Sequence, residues 1–351
     1  MKPPCSSEQS RVSLYSSIAI TMTALFTAAC STTPSSNHSV SDFNVPRTEY
    51  GQPDLRGVWN FSSNTPLERP DEYGDRAELS AAEVEARHEA EVARRESLEQ
   101  RGAGSGSGSG VGGYNQFWVE SLAQGDNYRT SLIIEPKNGK LPPRVPGADV
   151  SFGGLGPDSK GELPVRFRVG GIGKDGPEQR GLSERCLKGF NSGPPFMPSM
   201  YNNNLQIFQN SDHVVILTEM IHDARVVKLQ DRNHLPNELS RWSGDSIGYW
   251  EGDTLVVETS NFTDKIQAFR GTGIGSDMHL TERFTRTGPE SIEYRATVDA
   301  PKAFTQPITV LFPLVKVDGE IFEYACHEGN YGMVNILQGA RVEELKTQQQ
   351  K

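Results

Sequence analysis

The chain has 351 residues, with 45 acidic against 35 basic side chains and a formal net charge of -10. Its 35% hydrophobic and 8% aromatic content is that of a globular chain, long enough for one large or two small domains. The acidic balance, with no basic run in the sequence, excludes non-specific nucleic-acid binding, which needs a basic surface.

Residues 1–30 read as an export segment outside the fold. Lys2 and Arg11 form a positive start, and Leu14 to Ala29 is an apolar stretch interrupted by Ser and Thr. It ends in Leu25-Phe-Thr-Ala-Ala-Cys30, which resembles a bacterial lipoprotein signal. The resemblance implies cleavage before Cys30 and lipidation of that cysteine. A plain secretory signal cut near Ala29, giving a secreted soluble protein, is the alternative. Ser31 stands where an Asp would mark inner-membrane retention, so the segment resembles outer-membrane sorting towards the periplasm. Contact with a membrane is then expected only through the N-terminal lipid. Residues 31–44, rich in Ser, Thr and Asn, form a flexible tether.

Of the four cysteines, Cys5 leaves with the signal and Cys30 takes the lipid. Cys186 and Cys326 remain. In an exported chain two such cysteines point to one disulfide between them, with a pair of buried free thiols as the competing reading. No CxxC or Cys/His ligand spacing occurs, so no structural zinc is expected.

The folded part opens at Pro53-Asp-Leu-Arg-Gly-Val-Trp59. Gly57-x-Trp59 resembles the first-strand signature of lipocalin-type barrels, which implies a tryptophan closing a barrel floor. Residues 79–101 are expected as a surface helix, with Ser80-x-x-Glu83 as a capping box and Glu83–Arg87 and Glu91–Arg95 as i,i+4 pairs. Arg101 to Gly113 is a Gly/Ser linker, which lacks the Lys-Ser/Thr of a phosphate-binding loop. Residues 129–134 read as a strand and 147–181 as a long Gly-rich loop. Together, residues 45–135 make an N-terminal part of strand, helix and linker, and residues 136–345 the main β domain.

From Leu205 onward the chain alternates strand and turn. Strands are expected near 205–209, 213–219, 224–229, 247–251, 254–260, 279–287, 291–298, 306–317 and 320–326. Glu251-Gly-Asp253, Gly288-Pro-Glu290 and Asp318-Gly319 are tight hairpin turns, and short connections imply antiparallel pairing. With the 57–61 and 129–134 strands there are enough to close a barrel. The expected fold is therefore mostly β: an antiparallel, lipocalin-like barrel or strongly bent sheet with one N-terminal surface helix and long loops. No internal repeat supports a propeller.

Several segments together resemble a family of exported bacterial proteins without an established activity. They are Tyr201-Asn-Asn-Asn204, Glu219-Met-Ile-His-Asp-Ala-Arg225, Gly244-Asp-Ser246, Trp250-Glu-Gly-Asp-Thr-Leu-Val-Val257 and Tyr324-Ala-Cys-His-Glu-Gly-Asn-Tyr-Gly332. The likeness spans most of residues 50–343 and implies that two polar knots, 219–225 and 324–331, belong to the family pattern. It supplies no mechanism.

In the first knot His222 is the natural proton shuttle, oriented by Asp223 or Glu219. In the second, His327 and Glu328 form another acid–base pair on a loop at the barrel mouth. A Cys186–Cys326 bridge would hold His327 beside the asparagines. The expected catalytic residues are thus His222, Asp223, Glu219, His327 and Glu328. Arg225, Tyr201, Asn202, Asn204 and Trp118 are the expected substrate-binding residues, with Arg225 or Asn202 holding an oxyanion. The competing reading of the first knot is a turn tied by an Asp223–Arg225 surface pair. A metal is not expected, since HxH, HxxxH and HExxH are absent. Gly244-Asp-Ser-Ile-Gly248 satisfies G-x-S-x-G, but a turn runs straight from it into a strand, against a nucleophilic Ser246. The Gly-rich run at 269–275 has no following helix, so no dinucleotide cofactor is expected.

Three functions are open. One is an envelope enzyme using cofactor-independent acid–base chemistry, of isomerase, lyase or hydrolase type, on a small apolar or aromatic molecule in a barrel pocket. Another is a lipid-anchored carrier of such a molecule without catalysis. A scaffold docking through the charged helix is a third.

Overall fold

The computed structural model describes residues 43–100, 127–148 and 173–350. The signal segment with Cys30, the tether to residue 42, the linker after residue 100, Trp118 and residues 149–172 of the long loop lie outside the described residues.

Twelve strands are described. They are β1 (Gly57–Asn60), β2 (Ile133–Glu135), β3 (Asn204–Gln209), β4 (His213–Thr218), β5 (Ala224–Lys228), β6 (Asp245–Glu251), β7 (Thr254–Ser260), β8 (Gln267–Phe269), β9 (Thr272–Ile274), β10 (His279–Gly288), β11 (Ser291–Asp299) and β12 (Ile308–Val317). Nine of them close a barrel in the order β1-β3-β4-β5-β6-β7-β10-β11-β12, with β12 pairing back onto β1. The fold is of the lipocalin-like β-barrel class. β12 is long enough to fork: Val315–Val317 pairs with β1, while Thr309 and Val310 pair with β2. β8 and β9 form a separate hairpin.

The residues explain the strands. β10, β11 and β12 are rich in β-branched and aromatic side chains, and buried positions alternate with less buried ones along β11, as a strand with one face on a core requires. The inward set fills the barrel. Phe284, Tyr294 and Phe312 are fully buried, with Tyr294 stacked 5.1 Å from each of the other two rings. Phe196, from the Gly/Pro segment 193–198, packs on Tyr294 at 5.4 Å and joins this filling. Trp59 is also fully buried, donates from Nε1 to the Leu55 carbonyl at 2.9 Å, and lies under the Arg286 guanidinium at 5.4 Å.

Four expectations are corrected. First, β5 and β6 run parallel, through Val227↔Ser246 and Lys228↔Ile247. The 229–244 connection crosses over instead of folding back as a hairpin. Second, residues 320–326 form no strand. One edge of β12 is taken by β11 and the other by β1 and β2, so the returning chain has no free edge to join. Third, a second helix, α2 (Tyr331–Gln349), follows, capped by the Asn330 side chain accepting from the Met333 amide at 3.4 Å. Fourth, the first helix, α1 (Ala81–Gln100), keeps the Ser80–Glu83 capping box, yet the expected Glu83–Arg87 pair does not form. Glu83 pairs with Arg76, and Arg87 donates to the Asn127 and Arg129 carbonyls. Backbone acceptors and the nearby guanidinium outcompete that weak i,i+4 pair. The Arg95 side chain of the expected Glu91–Arg95 pair lies outside the described residues.

Candidate functional site

The corner between β4 and β5 is built by strain. A short 3-10 turn, Met220–His222, holds Ile221 at φ 61° and His222 at φ 43°. This left-handed region disfavours L side chains, above all β-branched ones. Cys186 (φ 55°) and Asn202 (φ 53°) share it. Four of the six described non-glycine residues with positive φ thus belong to the segments expected to form the site, and such strain gathers at functional sites.

The two polar knots do touch. His222 Nδ1 lies 3.3 Å from the Tyr324 carbonyl, and Glu219 accepts from the Phe322 amide at 3.4 Å. The Cys186–Cys326 disulfide, with Cα atoms 5.8 Å apart, clamps the second knot to the 181–192 turns. Asn330 Nδ2 adds a bond to the Glu184 carbonyl at 2.6 Å.

The individual side chains then divide. Glu219 is buried and accepts from Asn204 Nδ2 at 2.7 Å, while Asn60 donates to Asn204 Oδ1 at 2.8 Å. That chain fastens β1, β3 and the corner to one another. Asn202 offers its carbonyl to Asn191 Nδ2 at 2.9 Å, and Tyr201 packs edge-on against Phe190. His222, His327 and Glu328 are exposed and do not line the cleft described next.

Asp223 and Arg225 behave differently. Strand alternation places them on one face, and both line a cleft of about 660 Å³ between the start of β5 and residues 240–246. The two do not pair, contrary to the surface-pair reading. Asp223 binds Lys188, and Arg225 binds Glu282. The cleft exists because β5 and β6 pair through only two positions before they diverge. Gly248 permits that close pairing, since a Cβ there would lie 2.6 Å from Val227 Cγ1. Gly244, at φ 68°, turns the chain into β6, and a Cβ on it would meet the Ser260 carbonyl at 2.6 Å. Asp245 then anchors the crossover loop by accepting from the Leu235 amide at 3.0 Å and from His234 Nδ1 at 3.2 Å.

Asp223 and Ser243 on the cleft wall form a triangle with Lys188 buried behind them. Lys188 Nζ donates to Asp223 Oδ2 and, at 2.6 Å, to Ser243 Oγ; Ser243 Oγ donates to Asp223 Oδ2 at 2.9 Å. The Lys188 side chain is 1% exposed and that of Asp223 23%. Burial pushes the Asp223 carboxyl up, but the Lys188 charge, with hydrogen bonds from Lys188 and Ser243, outweighs it and holds the group below the usual carboxylate range. A fixed carboxylate beside a buried ammonium is thus offered to whatever enters.

The cleft reaches inward to a second polar group. Arg225 is held by Glu282, which also accepts from the Tyr294 hydroxyl at 2.7 Å. Thr259 Oγ1 sits 3.4 Å from the guanidinium and 2.9 Å from Ser246 Oγ. Ser246 is buried on a strand, with no helix behind it.

Lys188 and Ser243 are not among the residues expected from the sequence. Lys188 sits in a Gly/Pro-rich turn, and Ser243 lies one residue outside the G-x-S-x-G match. The available signal was a lysine set among Cys186, Leu187 and Phe190, an apolar setting in which an ammonium needs a carboxylate.

Fold and cleft define the class: a closed nine-strand β-barrel of lipocalin-like type with a disulfide-clamped corner and a polar cleft at one side. No protein-family model and no curated protein matches the chain.

Proposed function

We propose that the protein is an enzyme that holds a small molecule in the cleft between Asp223 and Ser246 and works on it by acid–base chemistry of its own side chains. The observation that carries this is the Lys188–Asp223–Ser243 triangle, whose Asp223 and Ser243 line the cleft with Lys188 buried behind them. Asp223, kept ionised, accepts a proton from the bound molecule. The Ser243 hydroxyl, which lines the cleft beside it, returns one and is resupplied by buried Lys188, which takes up the Asp223 proton in turn. Trp242 and Leu187 on the same wall supply an apolar side for a ring, and Arg225 a cationic end. His222, His327 and Glu328 become framing residues in this reading. The carrier reading wants an apolar chamber, and the barrel centre is filled by Phe196, Phe284, Tyr294 and Phe312.

The disulfide supports an exported chain, because such bonds persist outside the reducing cytosol. Lipid anchoring at Cys30 in the envelope and the likeness to an exported bacterial family belong to the same proposal.

The test is deuterium uptake and turnover by proton NMR in D2O over a panel of small aryl ketones, lactones and esters. For a molecule that the protein turns over, Asp223→Asn and Lys188→Met should lose about 10²–10⁴ in rate, while His327→Ala keeps its rate. Folded Asp223→Asn and Lys188→Met variants working at the parent rate would overturn the proposal.

A further inference from the structure

On the opposite wall of the barrel a second groove, of about 700 Å³, lies between the outer faces of β10–β12 and the segment carrying β2. Its lining is basic in a chain of net charge -10. Arg69, Arg129, Lys137, Arg283 and Arg295 line it, against the single carboxylate of Glu135. The sequence hides this, because the cations come from four separate stretches and meet only when the barrel closes.

Three features mark the groove as more than a solvated face. Arg283 and Arg295 are direct cross-strand partners, and like charges placed opposite one another destabilise a sheet. Among the described residues each has one exposed glutamate beside it, Glu251 at 2.5 Å and Glu293 at 3.5 Å. Arg69 is 3% exposed, and its guanidinium donates to Thr130 Oγ1 and to the Gly74 and Lys137 carbonyls, with no carboxylate partner among the described residues. A buried cation without a counter-charge is costly. Arg129 is half-buried, and its guanidinium has no hydrogen-bond or ion-pair partner among the described residues. Between these cations Thr281, Thr297 and Thr309 present hydroxyls, the last two 2.9 Å apart.

We propose that this groove binds an oxyanion of the phosphate class, gripped by Arg129 and the Arg283–Arg295 pair. Guanidinium forks match phosphate oxygens two at a time, and threonine hydroxyls supply further donors. The oxyanion relieves the Arg283–Arg295 repulsion and gives Arg69 and Arg129 the counter-charge they lack. The source is a free phosphorylated metabolite or a lipid headgroup. The groove shares no lining residue with the Asp223 cleft, so either proposal can fail alone.

The experiment is calorimetric titration of the full chain with inorganic phosphate, followed by co-sedimentation with phosphatidylglycerol and with phosphatidylcholine vesicles. The expected result is saturable phosphate binding, weakened about tenfold or more in Arg129→Gln and in Arg295→Gln, and unchanged in Lys346→Gln on α2. Circular dichroism confirms that each variant is folded. Added salt should weaken the binding through screening. Retention on phosphatidylglycerol vesicles only, lost in the same two variants, assigns the oxyanion to a lipid headgroup; phosphate binding without vesicle retention assigns it to a soluble molecule. Absence of both, or binding indifferent to Arg129 and Arg295, overturns the site.

Discussion

Arg225 on β5 and Glu282 on β10 form an ion pair inside the barrel, although β6 and β7 separate their strands in the sheet. The pair spans the interior as a chord and forms the inner end of the cleft. Burial alone would lower the Arg225 pKa, but Glu282 outweighs it and keeps the guanidinium charged. Burial and the same glutamate push the Tyr294 hydroxyl well above its ordinary value, so Tyr294 stays a donor.

Breaking that chord from one side should be costly. Glu282→Gln leaves a cation buried without its counter-charge, and we expect a loss of about 3–5 kcal/mol in urea unfolding. Arg225→Met combined with Glu282→Leu should recover most of that loss, because an apolar pair of similar volume needs no desolvated charge. A double variant as unstable as the single one would show that Arg225 is held by something other than Glu282.

The Lys188–Asp223 pair sets a pH window. Asp223 has a lowered folded-state pKa, so its contribution is complete above the unfolded value of about 3.9. It is lost as the pH falls from there through the lower folded value. The stability difference between the parent chain and Asp223→Asn should therefore stay level from neutral pH down to about 4 and shrink only below that. Unfolding midpoints measured across that range check it. A difference that already fades between pH 7 and 5 would mean that the carboxylate is not held down in the folded state.

Much of the barrel is legible in the sequence because its strands announce themselves locally. Valine- and threonine-rich runs broken by Glu251-Gly-Asp253 and Gly288-Pro-Glu290 give β6, β7, β10 and β11 within a few residues. Strand alternation also puts Asp223 and Arg225 on one face, which is where the cleft lies. What local pattern cannot give is the direction of a strand entered after a crossover, so the parallel β5–β6 pair and the cleft it opens are invisible. Nor can it show that β12 has no free edge for residues 320–326. Lys188 and Ser243 stand 55 residues apart and become partners only through that crossover. His222, His327 and Glu328 have the right chemistry, yet backbone geometry turns them to solvent.

The disulfide should matter more to the corner than to the barrel. Its cysteines are 140 residues apart, and removing such a link typically costs about 2–5 kcal/mol. In the Cys186→Ser, Cys326→Ser double variant we expect a loss in that range together with faster amide exchange across 320–330. The Phe322 amide, which donates to buried Glu219, is the sensitive reporter. Unchanged exchange over 320–330 would mean that Asn330 and Glu219 hold the segment by themselves.

His222 offers the cleanest probe of the strain. Its side chain is exposed and makes one long hydrogen-bond contact among the described residues, Nδ1 to the Tyr324 carbonyl at 3.3 Å, while its backbone sits at φ 43°. Glycine adopts that conformation without steric cost, whereas an L side chain there costs about 1–2 kcal/mol. Against this stands the extra freedom glycine gives the unfolded chain, about 0.5–1 kcal/mol. His222→Gly should therefore raise stability by about 0.5–1 kcal/mol in urea unfolding. His222→Ala, which keeps the strain and loses the contact, should not stabilise. If the glycine variant is instead less stable than the alanine one, the corner is not under backbone strain at this residue. If it is more stable, and turnover of a confirmed substrate is unchanged, then the imidazole takes no part in the reaction.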